Sequence, residues 1–419
     1  MSTVIDVSSE NETCPEYKKP KKPSFLRGVS SFVHKKLGKH MQKIIHSIKV
    51  GIALVLVSLL YLLDPLFEQV GENAMWAIMT VVVVFEFFAG ATLSKGLLRG
   101  LGTILGGGLG CLAAILADDF GKIGNAVVVG VSVFIFGAVA TYCRLIPSIK
   151  KKYDYGFMIF ILTFSLVAVS GLRADKILKL ARERLSTIGM GFAVCIFTSL
   201  LVFPMWASDE LHRLTSSKFD KLACCIEDCM KVYFSVLNEK ETMPSINVSG
   251  CKSLLHSKSS DESLANFAKW EPWHGRFGFF YPWGKYIELG EVIRELASII
   301  LSMQKCLESP MQPSRSIQHA IKEPCKSVGL LLGLTMRELG QSITNMKRCQ
   351  AKVLMVPKLQ SAKLDLILLS TSPKLRGLPN VDSLAIANFL FLLMEIVDKV
   401  EVLAKEVEAL GEVVGFRSK

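Results

Sequence analysis

Residues 73–99 read NAMWAIMTVVVVFEFFAGATLSKGLLR. From Ala74 to Gly90 the run is apolar except for Thr80 and Glu86, with no period-two alternation. A helix needs about 20 such residues to cross the hydrocarbon core of a bilayer, whereas a strand would alternate. The stretch therefore predicts a membrane-spanning helix near 73–92, bounded by Asn73 on one side and by Gly90 and Lys95 on the other. Further apolar runs lie near 47–63, 100–117, 124–143, 155–171 and 184–204, the last closing at Pro204. Six spans in the first half predict an all-α membrane protein.

Around these spans the chain divides into unlike parts. Its 419 residues are 50% apolar with a mean hydropathy of +0.39, yet 21% are charged. The charges crowd outside the apolar runs, which predicts a basic arm at 1–46, a transmembrane domain at 47–205 and a cytosolic helical bundle domain at 206–419. The first 50 residues hold ten Lys and Arg against Asp6, Glu10, Glu12 and Glu16. The first loop has Asp64, Glu68 and Glu72 without a base; the second connection holds Lys95 and Arg99; the fourth carries Arg144, Lys150, Lys151 and Lys152. Basic loops stay in the cytoplasm, so this alternation places both termini there and keeps the sequons at Asn11 and Asn247 from glycosylation. The fifth connection runs against the rule, with Arg173, Lys176, Lys179, Arg182 and Arg184 facing only Asp175 and Glu183. Residues 25–46 read as an amphipathic helix for the inner headgroup layer, a plain basic leader being the other reading. No cleavable signal peptide is read, because about 46 polar, basic residues precede the first apolar run. The net charge of +12 points first to anchoring and anionic lipid, with nucleic acid the weaker reading.

From Ser208 onward the periodicity is helical, with candidate helices at 208–238, 284–307, 314–348 and 380–411 and a shorter one at 359–370. Leu392, Leu393, Ile396, Val400, Leu403, Val407 and Leu410 repeat at heptad-like spacing, with Glu395–Lys399 and Glu401–Lys405 as i,i+4 pairs. Residues 239–261, rich in Ser, Asn and Lys, read as a loop. The aromatic run from Trp270 to Trp283 contains Pro and Gly that exclude regular helix, and it reads as a loop fastened against helices or the membrane surface. Eleven cysteines show neither disulfide nor metal spacing; Cys224, Cys225 and Cys229 have helical spacing without a nearby histidine, so no metal site and no cofactor are read. There is no P-loop and no nucleophile elbow, and the glycines at 106, 107, 108 and 110 fall within a span, so an enzyme is not expected.

The charges of the apolar half remain. Glu86 lies deep in its span, where an acid needs a partner or a water-filled path, and a neighbouring base is the simpler partner. Lys95 and Arg99 share one helical face, and Arg184 opens the sixth span. These bases could anchor helix ends at the interface. Standing at both ends of the apolar half, they also form the pattern of an anion pathway, since rings of Arg or Lys attract anions and repel cations.

At these residues the sequence resembles the plant aluminium-activated malate transporters. The resemblance rests on residues 73–87, 90–99, 152–156 (KYDYG), 161–166 (ILTFSL) and 270–277 (WEPWHGRF), and it runs from about 45 to 348. It implies an anion channel, despite the family's name: a homodimer with a shared pore, six spans per subunit and a cytosolic helical domain, conducting malate, chloride or nitrate. It also implies that Arg99 and Arg184 line the pore, with Lys95 and Glu86 in the same region. Residues 203–212 (FPMWASDELH) and Trp273 are similar to the vacuolar-membrane members, which implies the tonoplast, with the plasma membrane as the alternative. Leu98 departs from the asparagine common in relatives, and the C-terminal region is short for the family. A coupled carboxylate transporter and a membrane-tethered scaffold or sensor are the competing readings.

Overall fold

The computed structural model describes residues 39–62, 74–118, 121–170, 174–235, 249–278, 280–309, 315–349, 351–371 and 380–417. Among them the chain is helical, with only two isolated bridge pairs, His274–Phe277 and Lys347–Arg417. The first half comprises α1 (Lys39–Leu62), α2 (Ala74–Val84), α3 (Ala89–Asp118), α4 (Gly121–Leu145), α5 (Pro147–Val169) and α6 (Ala174–Leu201). Five of these contain stretches long and apolar enough to cross a membrane: Met41–Leu60, Ala89–Ala117, Ile123–Leu145, Pro147–Val169 and Arg182–Leu201. They carry apolar side chains outward, as Ile123, Val127, Val131, Phe134 and Val139 do on α4. That is the inverse of a soluble helix and suits a lipid solvent.

The expected second span is where sequence and structure part. Helix α2 stops at Val84, residues 85–88 are not helical, and α3 starts at Ala89 rather than near 100. A break among apolar helices needs its backbone polar groups paired within the protein. Thr92 does part of this: its hydroxyl accepts from the Glu86 N–H at 2.9 Å. The Ala89 N–H donates to the Met205 carbonyl at 3.0 Å. Glu86 therefore lies in the break instead of inside a helix, and Lys95 and Arg99 lie within α3 instead of in a connection. The basic residues from Lys176 to Arg184 likewise belong to α6, not to a loop. Lys39–His46 continue directly into the first span as α1, while the rest of the proposed amphipathic segment (25–38), the acids of the first loop and both sequons lie outside the described residues.

Helices α3 and α5 pack backbone to backbone. Cβ atoms added at Gly102 and Gly106 would lie 2.7 Å from the carbonyl oxygens of Gly156 and Phe160, and one at Gly110 would lie 2.9 Å from Val167. Small residues at four-residue spacing allow this approach, which supplies dispersion contact where no hydrophobic effect operates.

The second half comprises α7 (Ala207–Ser235), α8 (Ser249–Leu255), α9 (Lys258–Ala268), α10 (Trp283–Leu307), α11 (Arg315–Asn345), α12 (Ala351–Leu354), α13 (Val356–Ser370) and α14 (Asn380–Val414). One continuous apolar core runs from Ala207 to Phe416. The predicted long helices match α7, α10, α11, α13 and α14 to within a few residues. Helices α8 and α9 fall largely where a loop was expected. Their signal is weak because they are short and polar outside, and burial of Cys251, Leu254, Leu264 and Ala265 holds them. On α14 the heptad positions Leu393, Ile396, Val400, Leu403, Val407 and Leu410 are all buried. Glu401 pairs with Lys405 at 2.8 Å as expected, whereas Lys399 instead reaches Glu295 of α10 at 2.7 Å. Cys225 and Cys229 lie in this core and Cys224 is exposed.

Candidate functional site

The break between α2 and α3 delivers Glu86 to the first turns of α3. There the Lys95 ammonium forms an ion pair with the Glu86 carboxylate, both side chains about one-third exposed. One turn on, Arg99 is 4% exposed, and its Nη1 donates to the Tyr155 hydroxyl of α5 at 3.2 Å. Its Nε is buried without a hydrogen-bond partner among the described residues. Lys95 also stands over the Tyr155 ring, 5.7 Å from its centroid. Tyr155 thus touches both bases, a role the KYDYG stretch did not disclose because the contact crosses between helices 56 residues apart.

Arg184 is held elsewhere. Its guanidinium lies over the Trp76 ring at 4.7 Å, and its Nε too is buried without a hydrogen-bond partner among the described residues. A ring face stabilises a cation without neutralising it. Helix α6 runs antiparallel to α3, as two contacts show: a Cβ at Gly96 would clash with Phe192, and the Ala89 N–H meets Met205. With ~1.5 Å of rise per residue, Lys95, Arg99 and Arg184 stand at successive depths about 6–8 Å apart along the axis.

Two further groups went unnoticed in the sequence. Lys49 of α1 is 1% exposed and donates to the carbonyls of Ser199 and Phe203 at 3.5 and 3.4 Å, closing the C-terminal end of α6. Phe203 has a φ of 46°, which turns the chain toward α7. His46 rests against Phe85 and Phe87, with ring centroids 5.9 and 5.4 Å apart.

The aromatic run fastens a loop to helices, as its composition predicts. The Glu271 carboxylate accepts from the N–H groups of Ala207 and Ser208 at 2.5 and 3.2 Å, capping α7. Burial pushes this carboxyl above its ordinary range, opposed by those hydrogen bonds. His274 stacks on Trp206 at 3.7 Å, takes a hydrogen bond from Ser208 Oγ at 3.0 Å and donates from Nδ1 to the Pro272 carbonyl. The same loop meets α3, since a Cβ at Gly90 would lie 2.7 Å from Glu271 Cγ. Residues 36–375, nine-tenths of them in the segments just described, match the family described as aluminium activated malate transporter.

The chain belongs to the aluminium activated malate transporter family.

It is 46% identical over 320 residues to aluminum-activated malate transporter 13 of Arabidopsis thaliana, covering 75% of this chain and 59% of that one. With aluminum-activated malate transporter 2 of the same plant it shares 39% over 382 residues, 90% of this chain and 76% of the relative. With aluminum-activated malate transporter 1 of Triticum aestivum it shares 36% over 395 residues, 90% and 83%. Against transporters 12, 13 and 14 of Arabidopsis the chain spans about three-fifths of the relative's length. In this member of the aluminium activated malate transporter family Leu98 is buried against Gly156, so it fills the α3–α5 contact rather than the Lys95–Arg99 face.

Proposed function

We propose that the chain is an anion channel of a plant membrane, passing malate and inorganic anions such as chloride and nitrate along a pathway lined by Arg99, Arg184 and Lys95. Arg99 carries this reading. Lys95 has a carboxylate partner, whereas among the described residues the buried Arg99 guanidinium has only a neutral hydroxyl and an unpartnered Nε. A buried cation without a protein countercharge is costly, and a passing anion relieves that cost. The planar guanidinium also matches a carboxylate. Binding by few fixed donors stays weak enough for exit.

The reading includes six crossings per subunit, with α2 as the short second one, cytoplasmic termini and helical half, and a homodimer sharing the pore. The basic N-terminal arm and the basic turn at Arg144–Lys152 support the orientation, and likeness to vacuolar members supports the tonoplast. A coupled carboxylate transporter is the second reading, favoured by the interruption at 85–88, since coupled sites are built from broken helices. The interruption has no counterpart of similar form among the described membrane helices, which keeps the channel first.

Patch clamp with malate and then chloride tests this. The reversal potential is expected to follow the anion gradient alone. Arg99→Glu should lose or sharply change the current while Arg99→Lys keeps most of it, each variant reaching the membrane at wild-type level. A reversal potential that moves with the proton or sodium gradient establishes the coupled transporter. Unchanged currents in Arg99→Glu return Arg99 to anchoring, and no wild-type current favours a scaffold.

A further inference from the structure

Where α5 begins, a cavity of about 320 Å³ opens between the apolar helices and the helical half. Lys151 and Lys152 line it from α5, Lys269 from the end of α9, with Asn266 and Ser148 beside them and the buried Trp283 at its wall. One acid, Glu262, also lines it, and it is bound to Lys151 at 2.7 Å. Lys151 holds that carboxyl below the usual carboxylate range. Three lysines against one carboxylate leave two positive charges, and Lys152 and Lys269 have no ion-pair partner among the described residues. Helices α5 and α10 both start at this cavity, with Ser148 and Trp283 in its lining, and neither start carries a side-chain cap. Uncapped helix starts add partial positive charge to that of the lysines.

The surroundings say what the cavity faces. It lies at the first turn of a membrane-crossing helix. Tyr142 and Leu145, at the end of α4, are 68% and 70% exposed, and Tyr153 is exposed within the second turn of α5. Exposed tyrosines at the ends of apolar helices mark the headgroup level of a bilayer. Basic pockets at that level hold lipid phosphates.

We propose that this cavity is a binding site for an anionic lipid with a phosphomonoester headgroup. Such a phosphate carries close to two negative charges at neutral pH, matching the two uncompensated lysines. The acyl chains would leave toward the apolar faces of α4 and α5.

The test uses the full chain in phosphatidylcholine nanodiscs doped with phosphatidic acid or, separately, phosphatidylserine, with retained lipid counted by native mass spectrometry. Wild type should retain phosphatidic acid over phosphatidylserine. Lys152→Ala with Lys269→Ala should weaken retention about thirtyfold, while Lys150→Ala, which removes a charge from the same turn outside the cavity, should leave it unchanged. Both cavity lysines are exposed, so the double variant keeps its fold. Equal loss in Lys150→Ala would reduce the effect to diffuse surface charge. Absence of preference for phosphatidic acid overturns the proposal, as does displacement of the lipid by inorganic phosphate, which would make this a soluble-anion site.

Discussion

At the scale of the residue, Tyr155 and His212 make the most specific commitments. Tyr155→Phe keeps the ring beneath Lys95 but removes the acceptor of the Arg99 Nη1 hydrogen. It is expected to change the malate-to-chloride permeability ratio about fivefold, the factor matching ~1 kcal/mol of lost hydrogen bonding. A ratio equal to wild type would place Arg99 and Tyr155 outside the pathway. His212 lies in the core of the helical half, its Nδ1 2.8 Å from the Tyr286 hydroxyl. Burial, with a smaller contribution from Arg276, pushes its pKa from 6.5 down to about 4. The folded state thus favours the neutral ring, so its stability is full above 6.5 and falls as pH drops from there to about 4, by ~3 kcal/mol in all. Thermal unfolding of wild type between pH 7 and 4.5 should show this loss, and His212→Gln should show a shallower one. Identical slopes would reject His212 as the titrating group.

At the scale of the element, the glycine stripe of α3 separates two kinds of small residue. Gly106 meets the Phe160 backbone, whereas a Cβ at Gly108 meets nothing within 4 Å. Gly106→Leu must push α5 away, since a carbonyl oxygen cannot yield as a side chain can, and overpacking costs ~1–3 kcal/mol or more. Its melting temperature in detergent should fall well below wild type, with Gly108→Leu near wild type within one protomer. Equal melting of the two would mean that the α3–α5 contact is looser than drawn. The sequence places the glycines at 106, 107, 108 and 110 within a span, but which of them bear on α5 depends on how α3 is rotated toward its neighbour. The end of α2 was illegible for a related reason. Phe85, Phe87 and Phe88 continue the apolar run of Val81–Val84, and at the stop the Glu86 and Ala89 N–H groups pair with Thr92 and Met205 instead.

At the scale of the whole molecule, the described residues of the two halves meet through backbone, apolar and charged contacts. Lys151 meets Glu262, and Glu271 caps α7 while touching Gly90 of the pore-candidate helix α3. Glu271→Ala should cost ~1–2 kcal/mol as a lost cap and raise hydrogen exchange at the amides of Ala207 and Ser208. Unchanged protection there would assign the capping to another group.

The amino-acid sequence by itself determined the class of the protein, for hydropathy and period are properties of a linear string. It set apart an apolar half from a polar helical half, marked the long helices of the latter, and singled out Glu86, Lys95, Arg99 and Arg184 as charges within or at the ends of apolar runs, with anchoring and an anion pathway both open. Tertiary structure alone decided which of those charges are compensated. Glu86 neutralises Lys95 across the break, Tyr155 and Trp76 hold the two arginines, which have no ion-pair partner among the described residues, and Lys49 is spent on closing α6. Each outcome depends on groups distant in sequence meeting within a few ångströms, and at those separations and in that low dielectric, partnership rather than residue type sets the energy of a charge.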